Sequence, residues 1–206
     1  MTKNTTKDHP LHHYYRFQSR IYDLTRWSFL FGRKRLLREL PFRRTEPLRI
    51  LEVGCGTGFN LERLARRYPE AEITGIDLSA DMLVKARRKV RPFGGRVTTV
   101  LGAFGELDLR EAYDLVLFSY CLTMVNPGWE RLVREAKKRL LPGGTLAVVD
   151  FHDSPLPPFE RHMGGHHVRM DGHLLPFLED HFRTDDRWVG KAYGGVWRWF
   201  FFVGKK

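Results

Sequence analysis

The sequence predicts an α/β fold around a parallel sheet, preceded by a helical extension. Two observations predict it. From Leu48 onward, short apolar runs alternate with amphipathic helical stretches, as strands joined by crossover helices do. The first run, Arg49–Val53, also ends directly in glycines two apart, Gly54, Gly56 and Gly58, before a helical pattern begins.

Taken in order, residues 1–10 form a disordered lead-in without the apolar core of a secretory signal. Residues 11–40 contain no proline, and Phe17, Ile21, Leu24 and Phe31 recur near helical spacing among arginines. Gly32 divides this cover into two helices and Pro41 stops the second. Strands follow at Arg49–Val53, 72–76, Val97–Leu101, Tyr113–Ser119 and 145–151, with helices at 59–68, Ala80–Val90 and 129–141 between them. Pro142-Gly143-Gly144 ends the last helix and turns into the fifth strand. Residues 152–173, rich in Pro, Gly and His, read as a lid or loop. Residues 174–206 supply a helix and two strands, 183–189 and 196–203, joined at Tyr193-Gly194-Gly195. Residues 11–206 are thus expected to form a single domain, with 11–41 as cover and 48–151 as the cofactor-binding core.

With 206 residues, 42% hydrophobic and 29% charged, the composition excludes a disordered chain, and no apolar run is long enough to span a membrane. The formal net charge is +11, and the first fifty residues hold twelve Lys/Arg against four Asp/Glu. A basic head on a balanced body suits an anionic partner, whether a membrane surface, a nucleic acid or an acidic protein, and equally a solvated face. Cys55 and Cys121, in no metal-like spacing, fit a reduced, cytoplasmic setting. His162 and His166 lie four apart, but Gly164-Gly165 interrupts the helix and no carboxylate motif accompanies them, so no metal is expected.

The glycine loop departs from the dinucleotide fingerprint G-x-G-x-x-G, because Phe59 stands where that pattern needs glycine. Asp77 closes the second strand nineteen positions after Gly58, where a carboxylate can accept both hydroxyls of a ribose; Ser79 is the better helix cap.

Glu52-Val53-Gly54-Cys55-Gly56-Thr57-Gly58 resembles the E/D-x-G-x-G-x-G loop of class I S-adenosylmethionine-dependent methyltransferases. That resemblance implies a three-layer Rossmann-like fold with sheet order 3-2-1-4-5-7-6 and an antiparallel last strand. It implies S-adenosyl-L-methionine as cofactor and S-adenosyl-L-homocysteine as product. The implied cofactor contacts are Tyr22, Glu52, Gly54, Cys55, Gly56, Gly58, Asp77, Leu78, Met82, Gly102, Ala103 and Ser119. Gly102 stands where many relatives carry an acid, so the adenine contact falls to backbone or to stacking on Phe104.

A narrower resemblance concerns the acceptor. Ser119-Tyr120-Cys121-Leu122-Thr123-Met124-Val125-Asn126-Pro127-Gly128-Trp129 is similar to the S-Y-x-L-S-M-I-P-x-W stretch of the N-methyltransferases that build betaine lipids from diacylglyceryl-homoserine, with Thr for Ser and one residue more. Tyr15-Arg16-Phe17-Gln18, Ile21-Tyr22-Asp23-Leu24-Thr25-Arg26, Gly32-Arg33 and Val149-Asp150-Phe151 resemble further motifs of that family. The resemblance implies a lipid or small-molecule amine as substrate, with Tyr15, Arg26, Tyr120, Trp129 and Phe151 around it. Their rings would stabilise a cationic product, although core packing explains Trp129 and Phe151 equally well. Tyr120 would orient the amine, and Asp150 or His152 would take its proton. Arg26, Trp27, Arg33, Lys34 and Arg35 would rest on an anionic membrane at the inner face. The pathway's 3-amino-3-carboxypropyl transferase is an implied partner.

The absence of an N/D-P-P-Y tetrad counts against a nucleic-acid base as target. Other phospholipid, quinone-precursor or small-molecule acceptors stay open. So do RNA methylation and a catalytically idle cofactor-binding subunit.

Overall fold

The computed structural model describes residues 29–109 and 112–206. Its elements are α1 (Arg33–Arg38), β1 (Arg49–Val53), α2 (Phe59–Arg67), β2 (Glu72–Asp77), α3 (Ala80–Val90), β3 (Val97–Leu101), β4 (Tyr113–Ser119), α4 (Trp129–Arg139), β5 (Leu140–Phe151), α5 (Pro157–Gly165), α6 (Leu174–His181), β6 (Arg183–Ala192) and β7 (Trp197–Lys205). The seven strands form one sheet in the order β3-β2-β1-β4-β5-β7-β6. β1 to β5 are mutually parallel, and β7 runs antiparallel to both β5 and β6. This is the Rossmann-like arrangement expected of the resemblance, with the glycine loop at the carboxyl end of the central strand.

Each helix follows from its apolar stripe. In α3, Met82, Leu83, Ala86 and Val90 are buried at helical spacing, and Ser79 Oγ accepts from the Met82 amide at 3.3 Å as cap. In α4, Trp129, Val133 and Ala136 are buried, and Lys137, Lys138 and Arg139 close the last turn where the helix dipole favours cations. Helices α1, α2 and α3 cover one face of the sheet around Leu36, Leu61 and Leu83; α4 and α6 cover the other around Val133 and Leu178.

Several boundaries differ from expectation. The helix expected over 129–141 ends at Arg139, and β5 begins at Leu140. Pro142-Gly143-Gly144 does not precede the strand but lies within it as an outward bulge: Tyr113 pairs with Leu140, and the next pairing is Leu115 with Thr145. Strand β6 runs through Ala192 and β7 through Lys205, because the antiparallel ladder between them carries on to the turn. Gly32 does precede α1, with φ +78°, but the helix ends at Arg38, short of Pro41. The first half of the expected cover lies outside the described residues, with Tyr15, Tyr22, Arg26 and Trp27.

Candidate active site

Past β1 the chain turns on three glycines with positive φ: Gly54 at +72°, Gly56 at +53° and Gly58 at +75°. Gly54 and Gly58 also need the missing Cβ. At Gly54 it would lie 2.9 Å from Cys121 Sγ, and at Gly58 3.1 Å from the α3 backbone at Ala86. The loop is pinned to β2, since the amides of Gly54 and Cys55 both donate to the Ile76 carbonyl at 2.9 Å. The Cys55 thiol is buried, which pushes its pKa up and leaves it an inert, protonated packing group.

Asp77 completes this half. Its Oδ2 accepts from the Gly56 amide at 2.7 Å and its Oδ1 from the Ser79 amide at 2.9 Å. Glu52 is buried, and its Oε1 accepts from Asn60 Nδ2 at 2.7 Å. Asn60 Oδ1 is buried without a hydrogen-bond partner among the described residues. A glycine cradle, a carboxylate at the strand end and an orphaned buried acceptor fit a ligand bearing hydroxyls and an amino group. Leu78 is exposed at the rim, while Met82 and Ser119 are buried. Gly102 donates its amide to the Asp77 carbonyl at 3.1 Å, and Ala103 follows it half-buried. Phe104 is buried and meets Phe118 edge-on at 6.2 Å, so its ring is not presented for the stacking expected of it.

The acceptor half is built by the loop after β4 and the segment after β5. Tyr120 has φ +53°, a conformation uncommon for a non-glycine residue. Its ring meets Phe151 edge-on at 4.8 Å, and its hydroxyl donates to the Phe31 carbonyl at 2.8 Å. Burial, then the Asp150 charge, push its pKa well up, so it remains a neutral phenol.

Asp150 is not placed as the base that, with His152 as the alternative, was expected to take the amine proton. It is fully buried, and its Oδ2 accepts from the amides of Cys121, Leu122 and Thr123 at 3.1, 2.9 and 3.3 Å. Its Oδ1 accepts from Thr123 Oγ1 at 2.5 Å and from its neighbour's amide, Phe151, at 2.9 Å. With five donors on it, this carboxyl shapes the 121–123 turn. Burial still outweighs those donors and pushes its pKa up to about 6.

His152 is half-buried, with Nδ1 lacking a partner among the described residues, and burial lowers its pKa. The structure does not gather Tyr120, Asp150 and His152 into one cluster: Tyr120 and Phe151 pack on one face of the sheet, whereas His152 meets Phe200 on the other. Trp129 is buried against His173 and Phe177, each at 4.8 Å. Tyr120, Trp129 and Phe151 therefore fill space against neighbours and do not form an open aromatic wall.

A pair not anticipated from the sequence lies at the foot of the lid. Asp171 accepts from His173 Nδ1 and, at 2.7 Å, from Arg169 Nε. A carboxylate on Nδ1 keeps the proton there and leaves Nε2 as an acceptor. His173 Nε2 is buried without a partner among the described residues, and burial lowers the imidazole pKa. The Asp-Gly-His spacing, with Gly172 at φ +75°, was the available signal. An isolated bridge between Asp153 and Asp171 closes the lid's base, and Arg198 clamps Asp153 with Nε at 2.5 Å. The lid is tied to the acceptor loop where the Arg169 amide donates to the Thr123 carbonyl at 2.9 Å. An open groove of about 580 Å³ runs between α5 and residues 167–171, reaching Asn126. Among the described residues, no group of three or more His, Cys, Asp or Glu side chains is arranged to hold a metal ion, and no helix is long and apolar enough to cross a membrane.

Comparison with known proteins completes this geometry. The family model described as methyltransferase domain matches residues 50–144. Residues 50–144 form a class I, S-adenosylmethionine-dependent methyltransferase domain. The chain is similar to trans-aconitate 2-methyltransferase of Streptomyces avermitilis, 34% identical over 155 residues that make up 73% of this chain and 55% of that protein. It is also similar to malonyl-[acyl-carrier protein] O-methyltransferase of Priestia megaterium, 33% identical over 106 residues, 52% of this chain and 38% of that protein. The chain thus spans about half or less of these relatives' lengths. Among solved structures, 1,6-didemethyltoxoflavin-N1-methyltransferase of Burkholderia thailandensis has the same fold, with TM-score 0.71 at 18% identity over 96% of this chain and 90% of that one. The domain's cofactor is S-adenosylmethionine, and the glycine loop and Asp77 are the residues that could hold it.

Proposed function

We propose that this chain transfers a methyl group to a small acceptor, and that the acceptor is the amine of a lipid head group of the diacylglyceryl-homoserine type. The observation that carries the methyltransferase reading is the juxtaposition of the glycine loop and Asp77 with the Asp150-shaped loop after β4. The lipid reading rests on the resemblance of residues 119–129 and on the basic head. When bound, S-adenosylmethionine supplies the electrophilic methyl for an in-line displacement. The chain's own work is to align and deprotonate the acceptor. Asp150 holds the 121–123 turn, and Thr123 passes that order to the lid through its carbonyl. Tyr120, bonded to the Phe31 carbonyl, holds the start of that loop against the cover. His173 Nε2, kept unprotonated by the Asp171 bond on Nδ1, is the lid's acceptor for the amine proton.

A second reading, methylation of a carboxylate, is favoured by the Streptomyces avermitilis relative and by Arg161 and Arg169 along the lid groove. Methyl-labelled S-adenosylmethionine incubated with diacylglyceryl-homoserine, trans-aconitate and RNA separates the readings. Label in the homoserine lipid alone supports the first, and label in trans-aconitate the second. Label in RNA alone, or in none, defeats both.

A further inference from the structure

The cations of the basic head divide into two sets. Arg35 lies over the Trp188 ring at 4.3 Å, and Arg33 and Arg63 both lie over the Phe59 ring, 3.8 and 3.6 Å from its centre. Lys34 and Arg38 are exposed and make no ion pair among the described residues. Between α1 and α2 runs a groove of about 340 Å³ lined by Lys34, Leu37, Arg38, Arg63, Leu64 and Arg67. Four cations and two leucines form it, without an acid. Arg67 is anchored there by helix carbonyls, donating to Leu37 at 2.5 Å and to Arg38 at 3.2 Å, so its position is fixed without a carboxylate partner among the described residues. Such a groove attracts an anion.

Trp188 continues this surface onto the edge strand β6. It is 48% exposed, although Trp129, Trp197 and Trp199 are all buried. Two residues before Gly190, which packs on Trp199 as Gly32 does, it stands on the same sheet face as α1.

Basic surfaces serve nucleic acids and bilayers alike; the aromatics decide between them. Bases need open ring faces for stacking. Here two guanidinium groups already lie on the Phe59 ring, and Arg35 lies on Trp188. What remains is a half-exposed indole among lysine and arginine, the composition of a surface that rests at the head-group level of an acidic membrane.

We propose that α1, the Lys34–Arg38–Arg63–Arg67 groove and Trp188 form the face on which this chain docks to an anionic bilayer, the groove receiving a lipid phosphate. The face deepens the lipid reading of the function and rests on it, but it is tested without any methyl acceptor. The full chain is sedimented with vesicles of phosphatidylcholine, alone or mixed with phosphatidylglycerol. Binding is expected only to the mixed vesicles and is expected to weaken with salt. Lys34→Glu with Arg38→Glu should lower the affinity about tenfold or more, and Trp188→Ser severalfold. The thermal shift with S-adenosylhomocysteine should stay as in the parent, showing that both variants fold. Equal binding to neutral vesicles, or parental binding by both variants, overturns the proposal. So does binding of single-stranded RNA in place of vesicles, or a Trp188-dependent dimer that does not bind vesicles. Because these vesicles hold no amine acceptor, a failure here is distinct from an absence of methyl transfer to lipid.

Discussion

Tyr120 donates its hydroxyl proton to the carbonyl oxygen of Phe31, 2.8 Å away and 89 positions earlier in the chain. This bond ties the loop after β4 to the segment leading into α1, so the acceptor half of the site and its cover share one anchor. Tyr120→Phe removes the donor and leaves a buried carbonyl unsatisfied, at about 1 kcal/mol. In a chain of this length that is a fall in Tm of about 2–4 °C, measurable by thermal unfolding. A variant with parental Tm would show that the bond holds nothing in place.

Asp150→Asn keeps one oxygen for the three loop amides but sets its NH2 against the Phe151 amide, and a loss of about 1–3 kcal/mol is expected. The parent also has a pH signature that the variant lacks. Burial raises the folded-state pKa from 3.8 to about 6, so the folded protein takes up a proton that the unfolded chain has released. The carboxyl's stabilising contribution is complete below about pH 4 and is lost as pH rises through 6, by up to about 3 kcal/mol. Denaturant unfolding across that window should show the parent losing stability relative to Asp150→Asn as pH rises.

His173→Gln removes the acceptor nitrogen but keeps a polar side chain of similar reach. If Nε2 takes the acceptor's proton, kcat falls by about a hundredfold with little change in KM. The acid limb of the kcat profile, placed below the usual histidine range by burial, disappears with it. Asp171→Asn should weaken the same limb through the altered tautomer. A kcat profile that neither change moves would return the pair to a purely structural role at the lid's base.

Trp199 lies against two glycine backbones. A Cβ at Gly32 would fall 2.2 Å from its ring, at a residue with φ +78°, and one at Gly190 2.5 Å from it. Gly32→Ala is expected to cost about 2–3 kcal/mol or more, combining left-handed strain with displacement of a buried ring. Gly194→Ala is its control: the backbone there is left-handed too, with φ +69°, but nothing lies within 4 Å, so only the strain, about 1 kcal/mol, should appear. Equal losses at the two positions would remove the ring from the account.

Asp77→Ala takes away the acceptor of the Gly56 and Ser79 amides together with the strand-end carboxylate. Affinity for S-adenosylhomocysteine, measured by calorimetry, should fall at least about tenfold. Unchanged affinity would place the ribose elsewhere.

The cofactor half was legible in the sequence because one βαβ unit contains it. β1, the glycine loop, α2 and Asp77 follow one another within thirty residues, so each required residue type appears at a readable spacing. The acceptor half was not, because its determinants are tertiary. Asp150 reads as a base beside the site until β4–β5 pairing brings the amides of residues 121–123 onto its carboxylate, 27 to 29 positions away. Trp188 and the α1–α2 groove escaped for the same reason: composition marks the head as basic, but which cations lie on rings and which face outward is decided by packing. Pro142-Gly143-Gly144 punctuated the chain correctly, yet its place inside β5 depends on a bulge that only the partner strand imposes.

The Asp153–Asp171 bridge makes the span between its two ends a replaceable cassette. Both ends are fastened to the scaffold, Asp153 by Arg198 on β7 and residue 169 by the carbonyl of Thr123. A loop of another length or chemistry inserted between these fixed posts would leave the sheet register and the glycine turn untouched. Grafting such loops onto this frame is therefore a route to changing which molecule is modified without rebuilding the half that binds the methyl donor.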